Sequence, residues 1–406
     1  MAFVIVGASL AGVNAAATLR EQGYSGELIL LGEEKEPPYE RPPLSKGYLL
    51  GDAERDSVFV NPSPWYQENT VDLRLGQQAV ALDAAGHTVT LASGEQIGYT
   101  KLLLATGSTP RRLPVQGADL PHVRYLRTLA DCEALRGDLH TGVEVAVIGA
   151  GWIGLEVAAA ARHHGANVTI IETESLPLRR VLGDEVAAVF RDLHEAHDVK
   201  FHFGRSVQSI GEGSVTLDDG TSVPADVVVV GIGVAPNTSL ASGAGLSVDN
   251  GVLVSASLQT SDPDIYACGD IASWENPLIG QRVRVEHWEN ARQSGQFAAR
   301  AMLGQEGVYD WLPYFFSDQH DLGMEYSGYA SPGGYDRVVF RGDIAAREFI
   351  AFWLKENRVL AGMNVNVWDV HDDIRALATA GHSGTAVDPE KLADMDTPLA
   401  QTLPAK

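Results

Sequence analysis

Gly149, Gly151 and Gly154, in "VIGAGWIGLE", carry the G-x-G-x-x-G spacing. The first glycine of such a motif makes a tight turn, and the second lets backbone approach a pyrophosphate. The third lets helix and strand pack closely, while the helix N-terminus attracts the anion. The apolar run before the motif and the Ala-rich run after it supply the strand and helix it needs. Glu172 ends the next apolar strand, "VTIIE", where a carboxylate can hold a ribose 2′-hydroxyl and repel a 2′-phosphate. That favours NADH over NADPH. Arg179 and Arg180 follow shortly, and nearby arginines can receive such a phosphate, so strictness stays open.

A second, earlier motif departs from this fingerprint. It reads Gly7-Ala8-Ser9-Leu10-Ala11-Gly12, with Ser9 where the second glycine is expected. A small hydroxyl side chain still permits close approach and can donate a hydrogen bond. Glu33, after "LILLG", is placed to hold an adenosine ribose. Two nucleotide modules imply two nucleotide ligands, and FAD with a nicotinamide is the usual pairing. Other chemistry is thinly represented. Cys132 and Cys268 are the two cysteines and form no C-x-x-C, so neither a disulfide framework nor a zinc site is indicated. The histidines show no metal spacing; His163 and His164 sit near a predicted helix end.

The elements that must position these residues repeat. Residues 3–34 and 144–174 each read strand, glycine turn, Ala-rich helix, glycine stop and a second apolar strand ending on an acid. That is a βαβ dinucleotide unit used twice. Each copy is followed by hairpin-type alternation and a further apolar strand: "HTVTLASGEQIGYTKLLLATG" after the first, "SVTLDDGTSVPADVVVVGIGVAPN" after the second. "VEHWENARQSGQFAARAML" has helical spacing with polar residues at its start. From about Pro313 a hairpin-rich β region follows, then a short helix around "VHDDIRALATAG" and a loose Pro-containing tail. The expected division is 1–110 and 236–315 for one nucleotide domain, 111–235 for the other, and 316–406 for a C-terminal domain.

Composition bounds the setting. With 406 residues, 45% hydrophobic and 20% charged, the chain is an ordinary globular protein of two or three domains. A net charge of −23 disfavours nucleic acid and anionic membrane surfaces. The longest apolar run, "ADVVVVGIGV", is too short to span a bilayer, and no leader pattern precedes the first strand, so a cytoplasmic location is expected.

Several stretches together resemble a known family. "LLLATGSTPR" (with Ala105, Thr106 and Gly107) and "DIYACGDIA" (with Gly269 and Asp270) are similar to the ATG and GD motifs of the two-dinucleotide-domain flavoprotein reductases. "PPYERPPLSKGYL", "RYLRTLADCEALR", "GAGWIGLEVAA", "GIGVAPNTSLA" and "YFFSDQHDLGMEY" resemble the FAD-dependent ferredoxin reductases of cytochrome P450 and ring-dioxygenase chains, the putidaredoxin-reductase-like group. The resemblance covers nearly the whole chain. It implies an α/β fold of two Rossmann-like, glutathione-reductase-like domains plus a C-terminal α+β domain.

It also implies roles, residue by residue. The first module, with Ala11 and Glu33, would hold the ADP part of FAD, with Val80 touching the adenine through its backbone. Arg41, Lys46 and Arg127 would contact FAD, Asp270 its ribityl chain, and Trp288 would lie by the isoalloxazine. NADH would occupy the second module, with Ile153, Glu156, Glu172 and the Gly231-Ile232-Gly233 turn. In disulfide reductases of the superfamily a redox-active cysteine stands where this chain has Leu44-Ser45-Lys46, so no thiol relay is expected. Lys46 and Glu156 would pair as the catalytic residues.

Electrons would then pass from NADH through FAD to a [2Fe-2S] ferredoxin, with the protein acting as a monomer. Arg282, Arg284 and Arg292, in a locally basic stretch, are candidate docking residues. The competing readings are a rubredoxin reductase, an NADH oxidase-like flavoprotein, and an apoptosis-inducing-factor-like binding protein. The last predicts basic surfaces that this chain lacks.

Overall fold

The computed structural model describes residues 2–404. The chain divides into two compact units, each assembled from separated stretches. The first comprises the chain up to Glu40, Arg55–Thr109 and Ala235–Pro313. The second comprises Arg41–Glu54, Pro110–Val234 and everything from Tyr314 onward.

In the first unit the strands Leu28–Leu31 and Gln96–Leu104 flank Ala2–Val6 in parallel register, Val4 facing Ile29 on one side and Leu102 on the other. Asp72–Arg74 extends the sheet beyond Leu28–Leu31, and Ile265–Ala267 also pairs in parallel with Gln96–Leu104. Ala2–Val6, Leu28–Leu31, Ile265–Ala267 and the Leu102–Leu104 end of the long strand are apolar on both faces, which suits a parallel sheet covered on both sides. The hairpin strands Ala79–Asp83 and Thr88–Leu91 return to Gln96–Leu104 in antiparallel pairing. One covering layer is the helix Leu10–Glu21, packed against the helix Trp288–Met302. Their approach is close because Gly295 has no side chain: a Cβ there would stand 2.3 Å from the Ala11 carbonyl oxygen.

The second unit contains a wholly parallel five-stranded sheet. Its order is Lys200–Phe203, Asn167–Glu172, Glu144–Ile148, Val227–Val230 and Val123–Arg124. The helix Trp152–His163 follows the second glycine motif. A three-stranded antiparallel ribbon, residues 207–224, buries Ile210, Val215, Leu217 and Val223 against the strand Val227–Val230 and its neighbours.

The same unit ends in a five-stranded antiparallel sheet: Tyr314–Gln319, Leu322–Gly328, Arg358–Val365, Glu348–Lys355 and Arg337–Asp343. The helix His371–His382 lies on Arg358–Val365, where Gly381 lets it settle against the Val359 carbonyl. The tail beyond this helix is not loose, contrary to the sequence expectation. The guanidinium of Arg341, itself buried, donates to the carbonyls of Asp394, Met395 and Thr397, and Leu392 and Leu399 are buried. A buried arginine fork needs acceptors, and the tail backbone supplies them.

Candidate dinucleotide sites

The glycine turn of the first unit is set by close packing. Gly7 has φ 122°, and a Cβ there would lie 2.1 Å from the Ala105 carbonyl oxygen; one on Gly12 would lie 2.0 Å from that of Gly7. No other residue fits either position. Ser9 precedes the helix in extended backbone, and its hydroxyl makes no capping bond. Glu33, at the end of the second strand, is exposed and accepts from the Gln78 amide at 2.9 Å. Val80, half exposed at 51%, is an apolar surface close in sequence to Gln78.

Ala105, Thr106 and Gly107 follow the central strand and are locked to Asn237: Thr106 Oγ1 donates to the Asn237 carbonyl at 2.8 Å, and Asn237 Nδ2 donates back at 2.9 Å. Gly269 (φ 70°) presses on Ala11, and its N–H is held by Ser294 Oγ at 2.9 Å. This places the second characteristic motif directly against the first glycine turn. Asp270 is oriented by the Ser108 hydroxyl, 2.6 Å from its Oδ2. Trp288 opens its helix after His287. Burial pushes His287 down to about 4 against the pull of Asp270, so its ring is neutral. Burial pushes the Glu40 carboxyl up, opposed by a hydrogen bond from Trp288.

In the second unit Gly149 (φ 99°) and Gly154 repeat the close-packed roles, their added Cβ atoms meeting the carbonyl oxygens of Gly231 and Gly149 at 2.5 and 2.1 Å. Gly151 is different. Nothing lies within 4 Å of a Cβ built there, so no packing within the protein calls for a glycine. Open space beside a glycine at a helix N-terminus is the kind of feature that a pyrophosphate needs. Ile153, 44% exposed, stands two residues on, in the first turn of the helix, and Gly233 (φ 90°) borders open space, while Ile232 packs on the core. Glu172 Oε2 accepts the Ala150 N–H at 2.7 Å, and Oε1 accepts the Glu174 N–H at 2.8 Å. Glu174 in turn engages Arg179 at 3.2 Å and Arg180 at 2.7 Å.

Arg41, Lys46 and Arg127 all lie in the second unit, where the Arg41 guanidinium donates to the Arg127 carbonyl. Lys46 Nζ stands 2.7 Å from Glu156 Oε2, the two side chains 14% and 3% exposed. Ser45 Oγ donates to the same oxygen at 2.5 Å, and Ser317 Oγ donates to Oε1 at 2.6 Å. The buried carboxylate therefore has donors on both oxygens, which an ion withdrawn from water requires. Phe316 lies under the ammonium, 5.4 Å from nitrogen to ring centre. The sequence marks Ser45 only as standing in the cysteine's segment, and it assigns no role to Ser317, Ser108 or Asn237. Ser45 and Ser317 lie inside the quoted stretches "PPLSKGYL" and "YFFSDQHDLGMEY", but the partnership between them is long-range.

Neither thiol is poised for chemistry. Burial pushes Cys132 up to about 12 and Cys268 further still, so both stay protonated. The three candidate docking arginines are each paired within the molecule: Arg282 with Glu275 at 2.9 Å, Arg284 with Glu286 at 2.5 Å, Arg292 with Glu289 at 2.5 Å. Among the described residues no helix is long and apolar enough to cross a membrane, and no group of three or more His, Cys, Asp or Glu has metal-site geometry.

The profile of the pyridine nucleotide-disulphide oxidoreductase family matches residues 1–295. The chain belongs to that family. A reductase C-terminal profile matches residues 314–403. Within the family the chain groups with ferredoxin reductases. It is 40% identical to the ferredoxin–NAD(+) reductase component of the anthranilate 1,2-dioxygenase system of Burkholderia cepacia, over 97% of each chain. It is 38% identical to a rubredoxin–NAD(+) reductase of Pseudomonas putida, over 90% of this chain and 96% of that one. Putidaredoxin reductase, solved in covalent complex with putidaredoxin, is similar in structure with a TM-score of 0.94 and 36% identity, covering 99% of this chain and 97% of that one. As a member of this family the chain is an oxidoreductase that works with FAD and NAD(H). The residues fit both groups: one close-packed glycine turn met by Gly269, next to Asp270, and one open glycine position at Gly151 beside the Glu172–Ala150 bond.

Proposed function

We propose that this reductase passes electrons from NADH through FAD to a small [2Fe-2S] ferredoxin that serves a cytochrome P450 or a ring-hydroxylating oxygenase. The observation that carries the reading is the Ser45-Lys46-Glu156 arrangement: hydroxyl and ammonium groups bonded to a carboxylate, in the segment where thiol-relay relatives carry cysteine. FAD, when bound, accepts a hydride's two electrons together and releases them singly, which suits a one-electron iron–sulfur acceptor.

The first unit holds FAD. Gly7, Ser9, Ala11 and Gly12 receive its pyrophosphate, Glu33 its adenosine ribose, and Asp270 its ribityl hydroxyls. Trp288 and the N-terminus of its helix present a positive dipole end to the ring system. The second unit holds NADH, with Gly151 under the pyrophosphate and Glu172 on the ribose. Glu174 keeps Arg179 and Arg180 engaged, which favours a nucleotide without a 2′-phosphate. Lys46 stays charged through Glu156, and with Arg41 and Arg127 it orients the groups that exchange hydride; the protein's contribution is proximity and orientation.

Ferredoxin docks through Arg282 and Arg292; the Arg284 side chain is 11% exposed and holds the Asp270 carbonyl instead. A rubredoxin is the second candidate acceptor, favoured by the likeness to a rubredoxin reductase over 90% of this chain. The deciding experiment is NADH-dependent cytochrome c reduction by the purified flavoprotein, with ferredoxins or rubredoxin added. Strong stimulation by a [2Fe-2S] ferredoxin is expected. NADH consumption indifferent to every iron–sulfur protein would sink the proposal, and a preference for rubredoxin would select the second acceptor.

A further inference from the structure

Behind Glu156 the second unit holds a run of buried polar side chains that the proposed reaction leaves without a task. Gln319 Nε2 donates to Ser317 Oγ at 3.0 Å, and His194 Nε2 lies 2.9 Å from Gln319 Oε1. His320 Nε2 lies 3.3 Å from His194 Nδ1. Ser317, Gln319 and His194 are at most 1% exposed, so water does not compete for their bonds.

The direction of each bond follows from the one before it. Glu156, the ion-pair partner of Lys46, only accepts, so the Ser317 hydroxyl points at it. The Ser317 lone pairs then receive the Gln319 amide, whose carbonyl faces His194. That ring must carry its proton on Nε2 and present a bare Nδ1 to the His320 N–H. Burial pushes His194 down to about 4, and burial with the neighbouring His194, His197, Arg162 and Arg347 pushes His320 down to about 3. Both rings are therefore neutral and offer one donor and one acceptor each.

We propose that His194 is a positioning residue for Glu156: through Gln319 and Ser317 it keeps a hydroxyl aimed at Glu156 Oε1, and the charge on Glu156 in turn selects the His194 tautomer. The effect on turnover rests on the reading of Lys46 and Glu156 as part of the hydride-transfer site. A reversed chain would satisfy every other member equally well. His194 would donate from Nδ1 to His320, the Gln319 amide would flip, and Ser317 would donate to Gln319. Glu156 alone loses, because Oε1 would face hydroxyl lone pairs instead of a proton. For a buried anion that loss is a charge-assisted bond, so the observed direction wins. For a neutral amide, which can donate to Ser317, the preference reverses.

The test is made on the FAD-loaded full chain labelled with nitrogen-15 histidine. Long-range proton–nitrogen correlations report which ring nitrogen of His194 is protonated, the signal being assigned by its loss in His194→Gln. The proton is expected on Nε2 in the parent and on Nδ1 in Glu156→Gln. The same tautomer in both would overturn the proposal. A second arm measures flavin bleaching by NADH in single turnover. His194→Leu should slow it severalfold with the NADH dissociation constant unchanged, the scale of one lost hydrogen bond between neutral groups. His194→Gln, which keeps an N–H near the lost Nε2, should recover most of that rate. Equal rates in the two variants would overturn the positioning role. If Glu156→Gln moves the proton yet bleaches at the parent rate, the chain stands and the assignment of Glu156 to the hydride site falls.

Discussion

The Glu172 carboxylate accepts the backbone N–H of Ala150 at 2.7 Å, tying the end of one strand to the glycine loop that follows its neighbour. Its other oxygen is taken up by the Glu174 N–H, so the side chain is pinned before any nucleotide arrives. Pre-organised carboxylates of this kind discriminate by geometry as well as by charge. The arginines that could undo the discrimination are held by acids: Arg180 by Glu174, and Arg179 by Asp184 and Glu174.

Glu174→Gln should therefore release Arg180, while Arg179 stays held by Asp184 at 2.5 Å, and should raise kcat/KM for NADPH severalfold. The NADH value should change much less, because the backbone bond from residue 174 to Glu172 is retained. Steady-state rates with both nucleotides check this; an unaltered preference would mean that Arg180 is irrelevant to the choice.

The glycines separate into two kinds. Gly154→Ala forces a Cβ to within 2.1 Å of the Gly149 carbonyl oxygen and should destabilise the second unit by about 1–3 kcal/mol. Gly151→Ala meets nothing and should leave unfolding unchanged while weakening NADH binding. Urea unfolding paired with NADH titration distinguishes the two.

Lys46→Met leaves the Glu156 carboxylate buried without its cation, a loss on the order of 3–5 kcal/mol for a pair this withdrawn from water. The double variant Lys46→Met/Glu156→Leu should be more stable than Lys46→Met alone, because no unpaired charge remains. A double variant as unstable as the single one would show that packing, not charge, sets the cost.

Acid should destabilise the fold in a defined window. His194 and His287 are lowered to about 4 and His320 to about 3 in the folded state, from an ordinary 6.5. Below pH 6.5 the unfolded chain takes up protons that the folded one refuses, so stability falls as pH drops from 6.5 toward 4. Above pH 6.5 these groups contribute no slope. His194→Gln should flatten part of the decline, read as Tm against pH.

Arg292→Glu should slow ferredoxin reduction at low ionic strength and leave reduction of a small dye unchanged, because rim charges act on association. The parent effect is tempered by the Glu289 carboxylate already bound to Arg292. Equal slowing with both acceptors would remove this arginine from the docking face.

What the sequence alone determined is local. The glycine spacings, the apolar strands on either side and the acids ending them lie within about thirty residues, the span of one βαβ unit, so periodicity and turn chemistry expose them. The absence of a thiol beside Lys46 was equally plain, because it needs only the residue types in one stretch. Tertiary structure decided who partners Glu156. Ser45 lies 111 residues away and Ser317 161, and no local pattern pairs such distant side chains. It also decided that the tail is held, since the acceptors for a buried Arg341 lie more than fifty residues further on. Burial is the reason in both cases. A charged group taken out of water must find bonding partners wherever the fold brings them, and that demand has no period along the chain.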